Sequence, residues 1–213
     1  MDPLNIVLYV AILLFSVIFH EIAHGLVADR LGDPTARYAG RLTLNPIPHI
    51  DLFGSILLPA FLLLVNSPIL FGAAKPVPVD FRNLRNERWG MIMVALAGPA
   101  TNFLLAVLAA VVFQLTPDLS DLGQTLLLQT MILNLVLCFF NLIPIPPLDG
   151  SKILASLLGF LDREWMYFML SFERYGFIIL IFFLYTGLVQ RLILPPVDFF
   201  LKLFLGPEIN LGI

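Results

Sequence analysis

Charged side chains are absent from five long stretches of the chain, Pro3 to Phe19, Leu52 to Ala74, Met91 to Pro117, Leu122 to Leu148 and Tyr175 to Gln190, and they cluster between them. Each stretch approaches or exceeds what a helix rising ~1.5 Å per residue needs to cross a hydrocarbon core of ~30 Å. The pattern predicts an all-α polytopic membrane protein with four to five transmembrane helices, the clearest at Leu4 to Asp29, Trp89 to Leu115, Gly123 to Ile143 and Arg174 to Ile193. The stretch from Ser55 to Phe71 is interrupted by Pro59 and the Asn66-Ser67-Pro68 turn, and basic segments flank it on both sides: Arg30 to Arg41, and Lys75 to Arg88. Positively charged loops favour the cytoplasmic side, so residues 55–71 are expected to form a re-entrant hairpin; a single crossing would set the two basic segments on opposite sides. The same rule puts the N-terminus and the Asp118/Asp121 turn outside. Short membrane-associated β strands are expected at Arg41 to Leu44 and Lys75 to Val79, with Pro76 and Pro78 suiting an edge. The tail from Pro195 to Ile213 mixes apolar residues with Asp198, Lys202 and Glu208 and is expected to lie at the interface.

Composition agrees with this pattern. Of 213 residues 59% are hydrophobic and 13% charged, and the mean hydropathy is +0.94. No internal repeat divides the chain, which reads as one membrane domain: a core over about residues 4–160, a last span at 174–193 and the tail. The first apolar stretch lacks a basic leader, starting Met1-Asp2-Pro3, and is expected to be a retained span, not a cleaved signal. Cys138 is the only cysteine, so neither an intramolecular disulfide nor a cysteine-rich metal site can form. A net charge of −3 over so few ionisable groups, with no nucleic-acid signature beside it, gives no reason to expect a nucleic-acid partner.

Candidate chemistry begins at His20-Glu21-Ile22-Ala23-His24, at the end of the first apolar stretch. Residues i and i+4 share a helix face, so His20 and His24 can present two imidazoles to one zinc, with Glu21 placed to act as a base on the attacking water. Ionisable residues in a span are costly and usually functional. A catalytic zinc takes three protein ligands and keeps a fourth position open. The third candidate is Asp149, in Asn141-Leu142-Ile143-Pro144-Ile145-Pro146-Pro147-Leu148-Asp149-Gly150, where three prolines break the helix. Asp149 could instead cap the helix that follows. Depth supports the pairing: counted from Leu4, His20 lies about 24 Å along the helix, near the inner side, and the span from Gly123 descends to the same level.

Together these motifs resemble the site-2 proteases, intramembrane zinc metalloproteases of peptidase family M50. The likeness rests on His20 to His24, on Asn141 through Gly150 as the family's Asn-Pro-Asp-Gly element, and on Ala97-Gly98-Pro99-Ala100-Thr101-Asn102 in an intervening span. The segment Ala74-Lys75-Pro76-Val77-Pro78-Val79 is similar to the compact bacterial and archaeal branch, which lacks PDZ and CBS domains. Ser151 stands where relatives often have a second glycine. The resemblance implies one zinc per chain held by His20, His24 and Asp149, catalysis by Glu21, a transmembrane protein substrate in the bilayer, and a multi-pass protein of the bacterial or archaeal plasma membrane with its active site towards the cytoplasm.

Three further residues are candidates for holding the substrate carbonyl or the developing oxyanion: Asn102, Asn141 and His49. Asn102 competes with a role as polar glue between helices; His49 could instead approach the zinc's open position, or be only a polar loop residue. The two strand-like segments could hold an unwound substrate by strand addition. The rival functions are a zinc or cation transporter, which would spread ligands along a path, and a non-catalytic zinc-binding scaffold, which would not need Glu21.

Overall fold

The structure is a computed structural model, and it describes residues 3–51, 54, 57, 64 and 74–207. Among these residues all regular structure is helical. Helix α1 spans Pro3–Leu31, α2 Thr35–Tyr38, α3 Glu87–Leu115, α4 Asp121–Asn141, α5 Asp149–Leu161, α6 Arg163–Ser171, α7 Gly176–Tyr185 and α8 Leu188–Leu205. Short 3₁₀ turns lie at Ile47–His49, Phe81–Asn83 and Phe172–Tyr175. Among the described residues, four stretches are long and apolar enough to cross a bilayer: Leu4–Leu31, Glu87–Leu115, Asp121–Asn141 and Arg163–Tyr185.

Helix α3 is central and packs on α1, α4 and α5. Its buried face carries small residues (Ala95, Gly98, Ala106, Ala109, Ala110) around Asn102, while Leu96, Leu104, Leu108 and Val111 point outward. Apolar side chains gain little by leaving lipid, so close backbone approach is what holds such helices together, and small residues permit it. On α1 the buried positions Ser16, His20, His24 and Ala28 recur every four residues, with Val7, Val10, Phe15 and Phe19 on the exposed side. The interior is therefore the polar side of this helix.

Two expectations from sequence need correction. The last span does not run unbroken from Arg174 to Ile193: it starts at Arg163, passes through the 3₁₀ turn Phe172–Tyr175 and ends at Tyr185. Gly187, at φ +72°, turns the chain, and residues 188–193 join α8 instead. Helix α8 then buries Val189, Ile193, Val197 and Leu201 in the main core, so the tail is a packed helix to Leu205 and not only an interfacial segment. The second correction concerns the strands. Arg41 to Leu44 and Lys75 to Val79 are not β strands. Pro76 and Pro78 have no N–H, the Lys75 N–H goes to the His49 carbonyl at 2.9 Å, and the Val77 N–H goes to the Glu21 carboxylate at 2.7 Å, so this backbone offers no ladder. Strand addition to these segments therefore loses its basis. The expected hairpin at 55–71 falls almost entirely outside the described residues.

Asp33 ties the loop after α1 to the segment leading into α3. Its fully buried carboxylate accepts the Asp80 N–H at 2.7 Å, the Asn83 side-chain N–H at 3.0 Å and the Thr35 N–H at 3.2 Å. Burial alone would raise its pKa, but the bonds from Thr35, Asn83 and Asp80 outweigh that and hold it below the usual value. A depressed folded pKa stabilises above the unfolded value of ~3.9, and the gain disappears as pH falls through the folded value. Asp33→Ala leaves these donors unpartnered and is expected to lower stability by about 1–3 kcal/mol at neutral pH. The thermal midpoint in detergent measures this, and the gap from wild type should narrow in strong acid, where a protonated Asp33 keeps only the weaker neutral hydrogen bonds.

Candidate metal centre and catalytic cleft

His20 and His24 lie one turn apart on α1, their rings 4.6 Å between centroids and nearly perpendicular. Asp149 is the first residue of α5, brought to the rings by the turn before it. Ile143, Ile145 and Leu148 anchor that turn in the core, while Pro144, Pro146 and Pro147 prevent it from becoming helix. Gly150 is required by contact: a Cβ there would stand 2.5 Å from the Ile143 carbonyl. The carboxylate does not cap α5, so the capping alternative does not describe it.

The three ligand atoms converge. His20 Nε2 and His24 Nε2 are 3.0 Å apart, and Asp149 Oδ2 lies 3.1 Å from the first and 3.2 Å from the second. Donors ~2.0–2.1 Å from a tetrahedral zinc stand about 3.3 Å from one another, so two imidazoles and one carboxylate at this spacing fit zinc. All three residues are buried, and among the described residues they form the one His/Cys/Asp/Glu group of metal-binding size.

The far nitrogens decide whether the near ones can bind metal. His20 Nδ1 donates to Asn102 Oδ1 at 2.5 Å, and His24 Nδ1 donates to the Val94 carbonyl at 2.6 Å, both on α3. With the proton held at Nδ1, each neutral imidazole presents a lone pair at Nε2. Asn102 is fully buried and donates in turn to Asn134 Oδ1 at 2.8 Å and the Ser16 carbonyl at 3.2 Å; Asn134 donates to Ser16 Oγ at 2.9 Å. Gly98 makes the approach possible. A Cβ there would meet His20 Nε2 at 2.5 Å and His24 Nε2 closer still.

A cleft of about 210 Å³ opens beside the centre, lined by Glu21, His24, Val77, Asp149, Lys152 and Glu173 among others. Glu21 Oε2 accepts the Val77 N–H, which leaves Oε1 for the cleft. None of the three candidate carbonyl-binding residues lines it. Asn102 faces His20 and the helix interior, Asn141 donates to the Leu137 carbonyl at 2.9 Å within α4, and His49 is buried in its loop, Nε2 donating to the Thr43 carbonyl at 2.9 Å. Sequence reasoning missed Ser16, Asn134, Lys152 and Glu173. Ser16 could have been noticed four residues before His20, and Lys152 three after Asp149.

The Peptidase family M50 profile matches residues 8–125 and 118–185. The chain belongs to peptidase family M50. Within the family it is 38% identical over 95% of its length to YwhC of Bacillus subtilis, covering 93% of that protein, whose name assigns it provisionally to the zinc metalloproteases. It is 29% identical to Rip2 of Mycolicibacterium smegmatis over 87% of the chain and 69% of that protein, and 28% identical over 70% of the chain to zinc metalloprotease MJ0392 of Methanocaldococcus jannaschii, of which it spans 34%. No solved structure gives a significant match.

Two substitutions in this M50 peptidase test the architecture of its centre. Gly98→Ala is expected to push the rings apart and abolish stoichiometric zinc. Asn102→Ala, which frees His20 Nδ1, is expected to weaken zinc binding about 10–100-fold. Chelator competition on detergent-purified protein measures both.

Proposed function

We propose that the chain is an intramembrane zinc metalloendopeptidase that cuts transmembrane or membrane-proximal segments of other proteins. The observation that carries the reading is the convergence of His20, His24 and Asp149, with Glu21 lining the adjoining cleft. His20, His24 and Asp149 hold the ion. Zinc bound there supplies the charge that polarises the scissile carbonyl and draws the pKa of its water down towards ~7.

Glu21 is the general base: it takes a proton from the attacking water as the new C–O bond forms and returns it to the amide nitrogen as the C–N bond breaks. The Val77 N–H fixes one of its oxygens and so aims the other. A helical substrate hides its carbonyls in its own hydrogen-bond ladder, so the segment cut must unwind locally first.

The end of the bundle bearing the cleft brings the end of α1 against the start of α3, where the Arg85 N–H donates to the Leu31 carbonyl at 3.0 Å. Arg30, Arg37, Arg82, Arg85 and Arg88 lie in this region of the chain, which supports a cytoplasmic placement in a bacterial or archaeal plasma membrane. The transporter reading gains nothing from the comparisons, and the ligands gather at one level instead of lining a path.

The test is cleavage of single-span peptides by purified protein. Glu21→Gln is expected to retain zinc and to lose about 10²–10⁴-fold in rate, and a chelator should abolish wild-type cleavage until zinc is restored. Full activity in Glu21→Gln overturns the assignment.

A further inference from the structure

We propose that Lys152 is a positioning residue for Asp149, holding the carboxylate so that a single oxygen faces the histidine pair and the fourth ligand position stays open. The inference rests on the zinc reading above and deepens it.

The two oxygens of Asp149 have different partners. Oδ2 faces both Nε2 atoms, at 3.1 and 3.2 Å, whereas Oδ1 stands 3.4 Å from Lys152 Nζ. Helix α5 imposes this: residues i and i+3 share a face, so a lysine at 152 reaches back over the carboxylate at its first position. An i,i+3 ion pair on a solvated helix would signify little, but here the side chains are only 26% and 9% exposed and the pair adjoins the metal centre.

A carboxylate with both oxygens free can bind a metal through one or through two. Two would occupy the position that water or a substrate carbonyl needs in a catalytic site. Engaging Oδ1 with an ammonium removes that choice. Lys152 is also the only lysine or arginine among the described residues of the cleft, which it shares with the Glu21 and Glu173 carboxylates. Three carboxylates and one ammonium leave two negative charges, the complement of one divalent ion.

Removing Lys152 changes metal affinity in opposite directions, since it releases Asp149 but also lifts a repulsion on the ion. Coordination is the cleaner readout. Cobalt(II) in place of zinc reports it in the full-length chain in detergent, because four-coordinate sites give intense visible bands and higher coordination gives weak ones at shorter wavelength. Wild type and Lys152→Arg are expected to show the intense spectrum. Lys152→Met should lose intensity several-fold, shift to shorter wavelength, and lower kcat about 10-fold or more with little change in KM. Lys152→Gln, one atom too short to reach Oδ1, should behave as the Met variant and keeps the test open should Met not fold. Spectra of both variants that superimpose on wild type overturn the role of Lys152. A wild-type spectrum that His24→Ala does not abolish, or no site spectrum at all, overturns the zinc reading itself.

Discussion

Everything at the centre depends on how two imidazoles are satisfied inside an apolar helix bundle. A buried polar nitrogen without a partner is costly away from water, and neither His20 Nδ1 nor His24 Nδ1 finds its partner on α1. Helix α3 supplies both partners, a side-chain amide at Asn102 and a backbone carbonyl at Val94. The same two bonds fix the tautomer, so satisfying the interior and turning both Nε2 lone pairs towards Asp149 are one event. The amides of Asn102 and Asn134 and the Ser16 hydroxyl extend this arrangement through three helices, which makes the packing of α1, α3 and α4 and the chemistry of the site inseparable.

The cleft is organised from the opposite direction, by loops at the helix ends. Asp33 gathers Thr35, Asp80 and Asn83, the Arg41 guanidinium donates to the Lys75 carbonyl at 2.6 Å, and the segment so held gives its Val77 N–H to Glu21. The Glu21 carboxylate is thus held by backbone that lies more than fifty residues away in sequence, while the Asp149 carboxylate meets Lys152 of its own helix. These are separate supports for two acids within one small space.

Legibility in the sequence followed the range of the interactions. His20, Glu21 and His24 are readable because a helix repeat alone places them, and Asp149 because three prolines announce a break where a third donor is needed. Asn102 was visible as a polar residue in a span, yet its partner was not, since that depends on where α1 crosses α3. The end of the last span was hidden because Thr186 and Gly187 interrupt no hydropathy; only the left-handed turn at Gly187 divides the run. Lys75 to Val79 looked like a strand by composition, but composition says nothing of where N–H groups go, and here they go to a carbonyl and a carboxylate.

Gly98 carries one more implication. With hydrogen in place of a side chain, the backbone of α3 rests directly against the ring nitrogens, and no compressible group lies between the helix axis and the ligands. The contact therefore leaves little slack: a change in the separation of α1 and α3, such as lateral pressure or bilayer thickness imposes on crossing helices, acts directly on the Asn102 and Val94 bonds that hold the two rings. The backbone of α3 is thus the surface against which both imidazoles are set.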